Sequence, residues 1–234
     1  MKTKVSLLIA CLLVTLTGFA RTTETVSGNG NVITKKISIS DYNEISTVGV
    51  LEFVYEQSDA APYLEVQIDE NLLPLLQMQV DGKELNVVSS GDFIIASPIH
   101  VEKLEINMAG SGNILLKKKA EGNKIEINLA SSGSVVASDI NLNTIECSLA
   151  GSGAIQIAGK ASRAEYNLAA SGNIKAFDCI TEKTECNIAG SGNIQTHTQR
   201  QLEANIVGSG NVYYKGNPNT SKSVIGSGKL KNAN

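Results

Sequence analysis

Six glutamates recur at nearly even intervals along the second half of the chain: Glu105, Glu126, Glu146, Glu165, Glu185 and Glu203. Carboxylates at a repeating site can share a cation, or work as a pair of acid and base or nucleophile on a glycosidic bond. Two positions earlier stand Lys103, Lys124, Thr144, Arg163, Lys183 and Gln201. A basic column beside an acidic one is the plainer role, because stacked like charges repel by about 1 kcal/mol even in water and need an offset. A cation-binding stripe is the sharper one, centred on Glu146 and Glu203, where the basic neighbour is missing.

The other chemistry-bearing residues are sparse. Histidine occurs only at positions 100 and 197, and no Asp returns at a fixed site, so the clustered carboxylates, calcium and flanking base of a polysaccharide-cleaving site are not spelled out. Of the four cysteines, loss of Cys11 with an N-terminal signal peptide would leave Cys147, Cys179 and Cys186, an odd number without C-x-x-C spacing, which reads as core filler rather than a zinc site or disulfide framework. The Gly-x-Gly pairs lack the third glycine of a dinucleotide fingerprint and the Gly-Lys-Ser/Thr of a phosphate loop. Calcium-binding nonapeptides need Asp after the glycines, where this chain has Asn, Ser, Ala or Lys. No catalytic, cofactor-binding or metal-ligating set is expected.

These residues must be positioned by a repeat. Strand-like hexapeptides such as Leu104–Ala109 and Ile145–Ala150 each precede a small-residue turn, in seven copies whose turns begin at 110, 131, 151, 170, 190, 208 and 226. A period near twenty is a solenoid period. Within a copy the apolar residues alternate, with Leu104, Ile106 and Met108 on one face and Glu105, Asn107 and Ala109 on the other, so the segments are strands. Each repeat is expected to give two strands and two corners, and the coils must stack at about 4.8 Å because one alone cannot bury its apolar face. Stacking puts Ile106, Ile127, Cys147, Tyr166, Cys186 and Ala204 in one inward column. Gly110, Gly112, Gly133, Gly151, Gly153, Gly172, Gly190, Gly192, Gly208 and Gly210 form the corners, supplying positive φ and room for backbones to approach. Asn113, Asn173, Asn193 and Asn211 tolerate left-handed backbone and can build a side-chain ladder.

The 234 residues are 42% hydrophobic with a formal charge of −3, enough for a core and too little positive field to hold nucleic acid. Tryptophan is absent and aromatics make up 4%, which argues against a sugar cleft lined with stacking rings. Lys2 and Lys4, the apolar run from Val5 to Leu16 and the small residues up to Ala20 read as a signal peptide over 1–20. Cys11 has lipobox-like neighbours, but the apolar run continues beyond it. No other stretch has the length of a membrane span. Residues 21–36 read as a flexible leader, 37–101 as an N-terminal β half and cap with a hairpin at Asp81-Gly82, 102–216 as repeat coils, and 217–234 as a capping coil. Pro218, Lys222, Lys229 and Lys231 are the residues that blunt an open sheet edge.

The repeated Gly-Ser-Gly-Asn-Ile after an x-Glu-x-Asn-Leu-Ala strand, with Asp69–Leu73 and Pro98–Val101 upstream, resembles the putative auto-transporter adhesin, head GIN domain family of exported Bacteroidetes proteins, from about Ile37 to Gly216. The resemblance implies an all-β, right-handed parallel β-helix and carries no catalytic residues. The expected function is therefore a non-enzymatic, exported binding module that is periplasmic, surface-borne or secreted, with a glycan or cell-surface protein as partner. The alternative is a polysaccharide lyase or hydrolase on the same scaffold.

Overall fold

The computed structural model describes residues 29–38, 44–48, 53–55, 63–71, 77–81, 84–88, 93–95, 98–109, 113–130 and 132–234. The expected signal peptide lies outside them. The described residues form an all-β solenoid of parallel strands in about 7 turns, with coils about 20 residues long. No helix among them is long and apolar enough to cross a membrane.

The regular stack runs through β8 (Ile99–Ala109), β9 (Asn113–Leu116), β10 (Ala120–Leu129), β11 (Ser134–Gly151), β12 (Ala154–Ala170), β13 (Asn173–Gly190) and β14 (Asn193–Gly208). It closes with β15 (Asn211–Lys215), β16 (Asn219–Gly226) and β17 (Lys229–Asn232). Every pair in it is parallel. The inward column is as read: Ile106 pairs Ile127, then Cys147, Tyr166, Cys186 and Ala204 follow in register.

The coil differs from two strands and two corners. In β11 the buried residues fall into three runs, at 135 and 137, at 140 and 142, and at 145, 147 and 149. Consecutive outward residues such as Ser138 and Asp139 interrupt the alternation, and the ladder shifts register there. Two outward residues in succession rotate the strand without ending its pairing, so bends replace an open corner. Where the coils shorten from 20 to 18 residues, Ala176 pairs Thr196 but Ile180 already pairs His197. Residues 177–179 have no counterpart in the next coil.

The N-terminal part is less regular. β1 (Val32–Ser38) pairs antiparallel with β4 (Tyr63–Asp69) in a sheet of its own. Residues 32–36, read as the end of a flexible leader, are thus strand. β2 (Glu44–Val48), β3 (Phe53–Tyr55), β5 (Gln77–Asp81), β6 (Glu84–Val88) and β7 (Phe93–Ile95) join the main sheet. The hairpin read at Asp81-Gly82 is flanked by β5 and β6, which pair antiparallel, while Gly82 itself lies outside the described residues. Strand order departs from chain order: β2 lies between β6 and β8, while β7, not β3, adjoins β9. The path steps outward from β2 to β3 and back inward from β6 to β7, and regular coiling begins at β8.

One apolar cluster extends from Ile95 to Val212. Its inward column shows compensation in volume: Tyr166, the largest fully buried side chain, has Cys147 below it and Cys186 above. A phenol ring fits into a stack of aliphatic rungs only where its neighbours are small. Cys147, Cys179 and Cys186 are free and buried, and burial raises all three thiols, that of Cys179 to about 11, so they stay protonated and unreactive. The Tyr166 hydroxyl is buried without a hydrogen-bonded nitrogen or oxygen; its polar neighbours are the thiols of Cys179, Cys147 and Cys186, weak partners for a phenol. Tyr166→Phe should therefore hold or raise stability, by up to about 1 kcal/mol, where losing a satisfied hydroxyl would lower it. A fall of more than about 1 kcal/mol in denaturant titration would show that the hydroxyl is paired.

Candidate functional site

The widest regular surface is the outward face of the hexapeptide strands, four columns wide. The basic column aligns in register as Lys103, Lys124, Thr144, Arg163, Lys183 and Gln201. Beside it runs the glutamate column, Glu105 through Glu126, Glu146, Glu165 and Glu185 to Glu203. An asparagine column follows at 107, 128, 167, 187 and 205, with Ser148 in its middle, and then Ala150, Ala169, Ala189 and Val207.

The asparagines organise this face. Asn128 Nδ2 donates to Asn107 Oδ1 at 2.8 Å, Asn187 to Asn167 at 2.9 Å and Asn205 to Asn187 at 3.0 Å. Within each coil the same amide donates sideways to the glutamate two residues earlier, at 3.1 Å for Asn167 to Glu165 and 3.2 Å for Asn187 to Glu185. One amide group thus spends one proton along the stack and the other on a carboxylate. Sequence reading singled out Asn113, Asn173, Asn193 and Asn211 and passed over this column, although Asn stands two residues after Glu in the repeated hexapeptide. The expected ladder is present too, with Asn193 donating to Asn173 at 3.3 Å and Asn211 to Asn193 at 3.1 Å. None of these asparagines takes positive φ; among the described residues Ala170 is the non-glycine that does, at 121°.

Lysines offset the stacked carboxylates by reaching diagonally. Lys103 Nζ lies 2.6 Å from Glu105 and 3.9 Å from Glu126, and Lys124 lies 3.2 Å from Glu126 and 2.6 Å from Glu146. Arg163 spans to Glu185 at 3.9 Å. Glu146 is therefore not the vacancy that its Thr144 neighbour suggested, since the coil before supplies its cation. Burial pushes the Lys124 ammonium down, but its bonds to Glu146 and Glu126 outweigh that and hold it above the ordinary lysine value. A carboxylate held by an amide and a lysine has little left for a free cation. Among the described residues no group of three or more His, Cys, Asp or Glu is placed to hold a metal ion.

The histidines share one ladder, from His100 through Glu121, Asn141, Lys160 and Ile180 to His197. Five strand steps, about 24 Å at the usual spacing, keep them from acting on one substrate. Gly110 and Gly112 lie outside the described residues. At the first glycine of the corner, Gly151, Gly190 and Gly208 have φ of 150°, 142° and 121°. Gly172, Gly192 and Gly210, at the second, stand outside the left-handed region, and there the constraint is close approach: a Cβ at Gly172 would lie 2.7 Å from the Gly153 carbonyl oxygen. Positive φ therefore does not explain Gly192.

The model of the family described as "Putative auto-transporter adhesin, head GIN domain" matches residues 41–218. The chain belongs to this family. Among solved structures, a putative lipid binding protein from Parabacteroides distasonis shares 45% identity at a TM-score of 0.83, covering 89% of this chain and 99% of its own. A putative adhesin from Parabacteroides merdae shares 33% at 0.79, again covering 89% and 99%. A putative adhesin from Parabacteroides distasonis shares 30% at 0.76, covering 88% and 98%. No curated protein matches at a significant level. The head GIN match begins near the Ile37 read from sequence and runs two residues past Gly216.

Proposed function

We propose that this head GIN chain is a non-enzymatic binding module of the adhesin type, exported after removal of residues 1–20, that meets its partner on the outward Glu-Asn face. The observation that carries this reading is the amide lattice. It commits the carboxylates to fixed hydrogen bonds, so they present a rigid, repeated pattern of acceptors and do not converge on one reacting atom. A repeated pattern on a rigid rod suits multivalent contact with a glycan or a surface protein, where many weak contacts add to avidity. The adhesin names of the family and its relatives support the same role at a cell surface. A lipid, named for one relative, would have to lie on the outside here, because side chains fill the inward columns.

The test is retention of the purified protein on cell-envelope fractions and on glycan arrays, compared with the double variant Glu185→Arg, Asn187→Arg. Both residues point outward, and because Asn187 also bonds Asn167 and Asn205, a melting curve of the variant checks that the coil keeps its fold. At least about tenfold weaker retention, the effect of roughly 1.4 kcal/mol, is expected. Unchanged retention would remove this face from the proposal, and turnover of an envelope polysaccharide by the unmodified protein would replace binding with catalysis.

A further inference from the structure

The face beyond the Gly-Ser-Gly corner is built from donors. Asn173, Asn193, Asn211 and Lys229 stand in one outward column, and Lys175, Gln195, Tyr213 and Lys231 in the next. Followed back through the earlier coils to Asn113 and Leu115, neither column contains an Asp or Glu. The hexapeptide face has the opposite character, with a carboxylate in every coil from Glu105 to Glu203.

The two faces also spend their donors differently. On the hexapeptide face the asparagines give a proton to a glutamate, and Lys124 is matched by two carboxylates. Here Asn193 donates to Asn173 and Asn211 to Asn193, and the second amide proton of each meets no acceptor among the described residues. Lys215 Nζ lies 4.7 Å from the centre of the Phe177 ring, and Lys231 Nζ 5.1 Å from that of Tyr213. A ring face holds an ammonium in place without neutralising it. Among the described residues, Lys175, Lys215, Lys229 and Lys231 form no ion pair. Lys229 and Lys231 are two residues apart on one strand, roughly 7 Å, inside the Debye length of about 8 Å at physiological salt, so their fields add.

We propose that this face, from β13 to β17, binds an acidic polysaccharide whose carboxylate or sulfate groups take the lysines and whose hydroxyl oxygens take the amide protons. The site is separate from the Glu-Asn face and does not depend on it. The donors run in two columns along the stack, three strand steps or about 14 Å from Lys175 to Lys231, which makes a track for a linear chain rather than a point for one small anion. No aliphatic side chain stands in these columns from Asn173 onward, so nothing here enters an acyl layer, and lysine is depleted at the centres of protein interfaces. A sugar chain with one charge on every residue or two is far sparser than a duplex with one per about 1.7 Å. It therefore suits a local group of lysines on a protein whose net charge is −3.

Retention of the purified protein on immobilised polygalacturonate and dextran sulfate tests this, with neutral dextran and phosphatidylglycerol vesicles beside them. At least one acidic polymer should hold the protein, dextran should not, and about 1 M salt, where the Debye length falls to roughly 3 Å, should release it. The triple variant Lys175→Gln, Lys229→Gln, Lys231→Gln, at three exposed positions, should be held at least about tenfold more weakly, and the same positions changed to Arg should keep retention. The double variant Lys175→Gln, Lys229→Gln disturbs neither ring contact and should lose at least about threefold even if the triple variant melts early. Lys118→Gln, Lys160→Gln, Lys222→Gln removes as much charge at exposed positions outside these columns and should leave retention unchanged. No retention on either acidic polymer, equal retention on dextran, stronger retention on the vesicles, or equal losses in the two triple glutamine variants would each overturn the proposal. Glu185→Arg, Asn187→Arg should leave this binding in place even where it abolishes retention on envelope fractions, so the two faces are tested apart.

Discussion

Gly192→Ala is expected to lower the melting temperature by about 8–16 °C, corresponding to about 4 kcal/mol at the usual slope for a domain of this size. Gly190→Ala should cost at least as much, because it adds the strain of a side chain at φ 142° to a Cβ placed 2.4 Å from the Ala170 carbonyl oxygen. Backbone conformation alone would leave Gly192 tolerant, since it has no positive φ. Ala170 occupies the first corner position one coil before Gly190 and holds a methyl group at φ 121°. That coil holds a Cβ there at the price of strain, whereas at Gly190 the Ala170 carbonyl oxygen stands in its way. At Gly192 a Cβ would lie inside the van der Waals shell of the Gly172 carbonyl oxygen and 2.7 Å from Leu168 Cδ2. Relief would require separating two coils that hydrogen-bond through this corner, Asn193 N to Gly172 O at 3.2 Å. Thermal melts of the two variants decide the point, and a loss below about 4 °C at Gly192 would show that the coils have room to part.

The same contrast was present in the sequence. The second corner residue is Gly in all seven copies, while the first is Gly, Ser or Ala. Periodicity of two and a repeat near twenty were enough to place Ile106, Cys147, Tyr166 and Ala204 in one column and the six glutamates in another, because register follows once the repeat offset is known. What stayed hidden depends on direction and not on spacing. That Lys124 reaches forward to Glu146, and that Asn187 splits its two protons between Asn167 and Glu185, follow from rotamers that a column assignment does not contain. The insertion of β2 between β6 and β8 was equally hidden, since no repeat links those strands to the stack. The bends inside each coil are legible in principle, as pairs of outward residues such as Ser138 and Asp139, where the sequence reading has only a single second corner.

Where the coil shortens, four buried threonines should prove to act as one unit. Thr181, Thr184, Thr196 and Thr198 are at most 3% exposed, and unpaired hydroxyls at that depth would cost about 1–3 kcal/mol each. Their distances permit a single directed chain. Thr196 lies 3.2 Å from Thr198, Thr198 donates to Thr184 at 2.7 Å, Thr184 lies 2.6 Å from Thr181, and Thr181 donates to the His197 carbonyl at 3.0 Å. Each hydroxyl then gives its one proton, and the last goes to backbone in the next coil. The chain joins β13 to β14 where residues 177–179 lose their counterpart, which is where the backbone ladder alone specifies register least. Thr184→Val keeps the shape but interrupts the chain in the middle, and should cost about 2 kcal/mol, or about 4–8 °C. Replacing all four by Val removes donors and acceptors together, so its cost should fall well below the sum of the four single losses. A quadruple loss equal to that sum, measured by denaturant unfolding, would show four independent hydroxyls and leave the change of coil length to be held by the apolar residues around them.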